Sequence, residues 1–295
     1  MDSFAVRLNT GRIRKISFNQ YGIKVSQANC STAGESNVSD ESTYGEIYAP
    51  LYEQYTTLQG KVAEVDETVT FLERYCSGGS ALELGIGDGR VGVPLSERGV
   101  KVEGIDNSCS MLKLLARRTD SIKAWQGDIA HFTSEQRYSM VYCVYSTFTL
   151  LFTREAQIAC LRSAAEALND DGVVVIELGV PSLNPLVGGQ KTTTARLVDH
   201  ENTILNVSVH DPLNQNLVST LLWFSGTSVR RLPQRVRYVY HQELDTMAEC
   251  AGLKLAERWG DWARGAFTER SEHHISVYRR ITRKCGRSSV ANKLK

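Results

Sequence analysis

The stretch ALELGIGDGRVGVPL, residues 81–95, decides how the rest of the chain is read. A short apolar run, ALEL, gives way to glycines at 85, 87 and 89 and then to a helical pattern over 89–97. Glycine tolerates positive φ and lets a backbone close on a ligand, so such a loop after a first strand marks a candidate binding edge. A tight turn packing helix on strand would explain the glycines equally well, so the neighbouring residues must decide. The order G-x-G-x-G, with Glu83 two residues ahead, is not the dinucleotide spacing G-x-G-x-x-G. It also lacks the Gly-Lys-Ser/Thr ending of a phosphate loop, which argues against a bound pyrophosphate.

Outward from this loop the pattern alternates. VKVEGID reads as a strand, NSCSMLKLLARR as a helix capped by Asn107 or Ser108, IKAWQGD and YSMVYCVYS as strands, 154–168 as a helix and DGVVVIEL as a strand. That rhythm predicts an α/β fold: a doubly wound, Rossmann-like sheet of seven mostly parallel strands with helices on both faces. After Pro181 the rhythm changes to strand-like alternation with turn signals, which predicts an antiparallel insertion at about 185–240. HQELDTMAECAGL then restores a helix, and KLAERWGDW and HHISVYRR close the sheet. Ahead of the loop, helices are expected in STYGEIYAPLYEQYT (42–56) and over 61–75. One helix would put Tyr44, Tyr48, Tyr52 and Tyr55 on a single face.

Carboxylates supply the chemistry. Asp106 ends the second strand, where it can accept both hydroxyls of a ribose. Asp128, in a Gly-Asp pair ending the third strand, can accept a hydrogen bond from an exocyclic amine. Each alone could be a helix cap, but together with the glycine loop they describe an adenosine that carries no diphosphate. At this point the chain resembles the class I S-adenosylmethionine-dependent methyltransferases. ELGIGDGRVGVPLSERGVKVEGIDNSCSML is similar to that family's first two motifs, QGDIA to its third and DGVVVIE to its fifth-strand motif. The run from Glu243 to Tyr278 resembles a bacterial small-molecule group. The resemblance covers about 44–280 and differs after the fourth strand, where Ser146-Thr147 stands for the group's Asn-Thr.

The resemblance implies S-adenosylmethionine as cofactor. Glu83, Gly85, Gly87 and Gly89 would then surround its methionine part, Asp106 would hold the ribose, Met111 or Ile129 would cover the adenine, and Asp128 would bond its amine. The four-tyrosine face is either core packing or a lid, with Tyr52 placing a hydroxyl on the cofactor carboxylate. Methyl transfer is an in-line displacement in which alignment does most of the work, so a general base need not be present. Base candidates are His241, His200, His210 and Tyr145, whereas His131 reads as structural. Trp223, Phe224 and Phe148 are candidates for an acceptor-pocket wall or for core.

The expected reaction is methylation of nitrogen or oxygen on a small molecule of secondary metabolism. The insertion would act as pocket wall or as a homodimer surface. An RNA-directed enzyme using basic tails and a non-catalytic partner subunit are the alternatives. A nicotinamide dehydrogenase shares the fold logic but not the glycine spacing. Five basic residues against Asp2 in 1–25, and seven with no acid after Tyr278, leave an acidic body. That body argues against nucleic acid as the main partner. Residues 1–42 are expected to be a disordered leader and 281–295 a disordered basic tail, flanking a methyltransferase domain over 43–280. Seven scattered cysteines, without metal-ligand spacing, read as reduced, buried thiols of a cytoplasmic protein, with no metal and no membrane span.

Overall fold

Strand β4 (Ser80–Leu84) is buried on both faces, as a central strand covered by helices on two sides must be. A computed structural model describes residues 43–58, 64–76, 78–181 and 191–281, and the backbone of 3–7, 13–19 and 22–27. β4 pairs in parallel with β5 (Lys101–Asp106) on one side and with β7 (Tyr138–Cys143) on the other. β6 (Lys123–Gln126) extends the sheet beyond β5, and β8 (Leu168–Gly179) extends it beyond β7. β14 (His273–Arg280) then runs antiparallel to β8 and to β13 (Leu253–Trp259), giving the order β13-β14-β8-β7-β4-β5-β6. The winding direction reverses between β4 and β7, so loops on either side of that point diverge and leave a crevice at the carboxyl ends.

Among the helices, α4 (Gly92–Glu97) and α5 (Cys109–Arg118) follow the first two parallel strands, α6 (Arg154–Ala167) precedes β8 and α7 (His241–Cys250) precedes β13. Ser108 caps α5 by accepting the Met111 N–H, and Thr153 caps α6 by accepting the Ala156 N–H. Gly252, at φ +79°, ends α7 in the left-handed region. The expected tyrosine helix is broken. Pro50 sits in a 3₁₀ turn (Ala49–Leu51) between α1 (Thr43–Tyr48) and α2 (Tyr52–Leu58), because proline cannot donate to the helical ladder. α3 (Val65–Glu73) covers the core of the expected second helix.

The insertion is a separate four-stranded antiparallel sheet in the order β12-β11-β10-β9. Its strands are β9 (Lys191–Val198), β10 (Asn202–Asp211), β11 (Asn216–Ser225) and β12 (Ser228–Arg237). Its inner face buries Ile204, Leu221, Trp223 and Leu232 against Tyr48, Ala49 and Met111. The Tyr48 hydroxyl donates to the Leu232 carbonyl at 3.3 Å. Trp223 and Phe148 are thus core residues, while Phe224 is exposed. Where β12 meets the main body, the buried Arg237 guanidinium donates to Gln157 Oε1 (2.6 Å), Gln215 Oε1 (2.8 Å) and Glu243 Oε1 (2.6 Å). It therefore joins α6, the β10–β11 turn and α7 through one cation.

Of the N-terminal residues, those described form β1 (Ser3–Arg7), β2 (Ile13–Asn19) and β3 (Gly22–Gln27), which pair antiparallel. The alternation in SFAVR and IRKISFN carries that pairing. The polar stretch 28–42 and the tail 282–295 lie outside the described residues. Of the cysteines described, Cys76, Cys143 and Cys160 are buried, but Cys109 and Cys250 lie exposed on α5 and α7.

Arg237→Ala leaves Glu243 without its cation and should lower unfolding stability by about 3 kcal/mol. Denaturant titration of the two proteins measures this; an unchanged midpoint would show that the insertion is held by its apolar face alone.

Candidate active site

The carboxyl ends of β4, β5, β7 and β8 open into a cavity of about 910 Å³, the size of site that takes a small-molecule ligand. Asp106 ends β5 at its floor and is 9% exposed. Its Oδ2 accepts the Gly87 N–H and its Oδ1 the Ser108 N–H, both at 2.8 Å. One backbone bond per oxygen leaves a lone pair on each for a diol. Burial raises the Asp106 pKa, and the two N–H bonds pull against it.

The three loop glycines, all at positive φ, serve different neighbours. A Cβ on Gly85 would collide with the Thr147 side chain, and one on Gly89 with Leu115 and Val93. A Cβ on Gly87 would meet nothing within 4 Å. Gly85 and Gly87 line the cavity; Gly89 does not, and makes room for α5 instead. Glu83 also departs from its expected place. It is buried under the loop, away from the cavity lining, with Oε2 accepting the Tyr142 hydroxyl at 2.9 Å. Burial pushes its pKa up to about 8, while the Tyr142 bond and the nearby Arg90 act in the opposite direction.

Met111, Asp128 and Ile129 line the cavity. Asp128 accepts the Ala130 N–H and stands 2.9 Å from His131 Nδ1, a local turn that leaves the carboxylate half-exposed. The tyrosine face divides: Tyr48 is core, whereas Tyr44, Tyr52 and Tyr55 line the cavity. Arg90 donates a hydrogen bond to Tyr52 and lies 3.6 Å from the Tyr145 ring centroid.

Tyr145 and Ser146, at φ 53° and 58°, are consecutive non-glycine residues in the left-handed region, a costly conformation that persists only where the surroundings enforce it. Glu177 does part of the enforcing, since its Oε2 accepts the Ser146 N–H at 3.0 Å. Ser146 Oγ accepts the Gly179 N–H at 3.2 Å. The other Glu177 oxygen, Oε1, stands 3.3 Å from His273 Nδ1. Both Glu177 and His273 line the cavity, and neither was singled out by spacing. The available signals were an acid at the end of an otherwise apolar strand and a His-His pair opening the strand beside it.

Of the four base candidates, only Tyr145 reaches the cavity. His241 opens α7 with its ring 5.1 Å from Phe267 and 6.3 Å from His274, away from the lining. His210 is buried with Nε2 2.9 Å from the Tyr238 hydroxyl, and His200 is exposed in the β9–β10 turn. The insertion does reach the cavity, through Arg196, Asp211 and Arg235. Among the described residues, no cluster of three or more His, Cys, Asp or Glu could hold a metal ion. No described helix is long and apolar enough to cross a membrane.

Residues 81–172 match a family model described as a methyltransferase domain. The chain is similar to the CcbJ methyltransferase of Streptomyces caelestis, with 33% identity over 82% of this chain and 100% of that one, and a TM-score of 0.76. It is 25% identical to the cypemycin N-terminal methyltransferase of a Streptomyces species, over 82% of this chain and 100% of that protein. A further relative, the dTDP-3-amino-3,6-dideoxy-alpha-D-glucopyranose N,N-dimethyltransferase of Streptomyces fradiae, is 30% identical over 45% of this chain and 53% of its own length.

The raised Glu83 pKa has a measurable consequence. From its ordinary value of 4.5 up to about 8, the folded protein holds a proton that the unfolded chain releases, so stability falls as pH rises through that window. Glu83→Gln keeps an acceptor for Tyr142 and removes the linked proton. Between about pH 5 and pH 8 the variant should lose at least about 1 kcal/mol less stability than the parent, by chemical denaturation at each pH. Parallel losses would mean that Glu83 is ionised in the fold.

Proposed function

We propose that this chain, which belongs to the class I S-adenosylmethionine-dependent methyltransferases, methylates an amine nitrogen on a small molecule of secondary metabolism. The observation that carries the amine reading is Glu177, a carboxylate 7% exposed in its side chain that lines the cavity beside the strained Tyr145–Ser146 turn. A carboxylate there suits a cationic acceptor and disfavours an anionic one. One relative described as an N-terminal methyltransferase and one described as an N,N-dimethyltransferase support the same reading.

The residues fit the cofactor. An open Cβ direction at Gly87, a nearly buried Asp106 with acceptor capacity to spare, and a cavity of sufficient volume form a nucleoside cradle. In this reading Asp106 holds the ribose, Asp128 the adenine amine, and Met111 with Ile129 the faces of the base. Tyr52 and Arg90 hold the carboxylate end, close to Gly85 and Gly87. Glu83 and Gly89 act from behind the loop, by supporting it. Bound there, S-adenosylmethionine supplies an electrophilic methyl group on sulfur. The chain's own contribution is alignment, which can provide up to roughly 7–11 kcal/mol through effective molarity. The insertion roofs the acceptor end with Arg196, Asp211 and Arg235 and shields it from bulk water. The reading also takes residues 43–280 as one methyltransferase domain acting in the cytoplasm, with a small molecule as acceptor in preference to nucleic acid.

Calorimetric titration with S-adenosylmethionine, its demethylated product and NAD tests the cofactor site. Micromolar binding of the first two and none of NAD is expected. Asp106→Ala should weaken both by more than about tenfold, since a buried diol loses a charged acceptor; unchanged affinity would remove Asp106 from the cradle. Mass spectrometry of a panel of small amines and phenols then reads the acceptor class. Methylation of phenols alone would overturn the amine reading.

A further inference from the structure

We infer that Glu177 and His273 form a proton-accepting pair for the acceptor, His273 as the base and Glu177 as the carboxylate that orients its ring; this rests on the amine reading above. An aliphatic amine is an ammonium ion near neutral pH and has no lone pair with which to attack. It must shed a proton first, and a positioned base typically gains about 10²–10⁴-fold.

The geometry suits that task. Glu177 is nearly buried, and its Oε2 is held by the Ser146 N–H at 3.0 Å. Its Oε1 lies 3.3 Å from Nδ1 of His273, whose side chain is 46% exposed. A carboxylate 3.3 Å from Nδ1 favours the proton on that nitrogen by its charge, and the basic nitrogen is then Nε2. In the step, an N–H bond of the ammonium breaks, its electron pair stays on the acceptor nitrogen, and the proton bonds to Nε2. The imidazolium is balanced by Glu177, and its exposed side chain returns the proton to water.

The other cavity candidate is less suited. Burial raises the Tyr145 phenol above its ordinary pKa, and His241 does not line the cavity. Among the described residues, the titratable and charged groups near the pair include Tyr145 with Arg90 over its ring and Glu64 beside it, Cys143 on β7, and His274 next to His273 on β14. Burial, with Arg258 and His241 nearby, pushes His274 down to about 3, so it brings no charge of its own near neutral pH.

Three measurements on the full chain test the pair, with Glu177→Gln, His273→Gln and His273→Asn beside the parent. S-adenosylhomocysteine affinity by calorimetry should stay within about threefold of the parent in all variants, which establishes the fold and the cofactor cradle; His273→Asn serves if His273→Gln does not fold. Nuclear magnetic resonance of ¹⁵N-histidine-labelled protein reads the His273 ring directly. Its pKa should fall by about one unit in Glu177→Gln, where the anion that favours the imidazolium is gone. An unchanged value overturns the pairing. Methylation of small primary and secondary amines, with phenols as controls, should drop roughly 100-fold in His273→Gln at pH 7. The deficit should shrink to under about tenfold near pH 9.5, where the amine loses its proton unaided. Parental activity in His273→Gln, or a deficit that is the same at both pH values, overturns His273 as the base while leaving the amine reading intact. Methylation of phenols and of no amine by the parent overturns both.

Discussion

The Asp106 carboxylate accepts N–H groups from both Gly87 and Ser108, and so fixes the glycine loop and the start of α5 against one strand end. Remove it and the loop after β4 loses the hydrogen bond that sets its height above the sheet, while the Ser108 cap on α5 loses its anchor. Glu83 supports the same loop from beneath through Tyr142, in a place dry enough that its carboxyl keeps a proton well above the ordinary range. The binding edge therefore rests on two acids with opposite duties. One faces the cavity with lone pairs to spare; the other is sealed behind it.

A second constraint governs the β8 side of the cavity. Two consecutive non-glycine residues in the left-handed region are unfavourable alone, and Tyr145 and Ser146 hold that shape because β8 supplies Glu177 and the Gly179 N–H to secure it. The bend directs Tyr145 under Arg90 and brings the carboxylate to the cavity wall. Strain in the turn, the position of Glu177 and the setting of His273 are thus one arrangement spread over three strands. Ser146 adds a polar link of its own, its hydroxyl accepting the Gly179 N–H.

The insertion joins this body by two different kinds of contact. Its apolar inner face packs on Tyr48 and Met111, and Arg237 collects three acceptors from three separate elements. A buried guanidinium with its donors satisfied fixes orientation where apolar packing alone would allow sliding. That matters because the same sheet brings Arg196, Asp211 and Arg235 to the cavity.

How much of this could be read from the chain alone follows from the range of each interaction. The alternation of strands and helices, the glycine loop, a cap at Asn107 or Ser108 and the acids at or just past the ends of β5 and β6 are local patterns, and the sequence determined them by itself. The tyrosine spacing was read as one helical face, but Pro50 broke the helix, and only packing decided that Tyr48 goes to the core while Tyr44, Tyr52 and Tyr55 face the cavity. Likewise Gly89 and Glu83 belong to the motif, yet Leu115 and Tyr142, distant in sequence, decide that they stand behind the loop. Glu177 and His273 are 96 residues apart and meet only because β14 runs antiparallel beside β8, at a register where His273 opposes Gly179. No periodicity within a single strand encodes a pairing between strands, so that pair belongs to the tertiary structure.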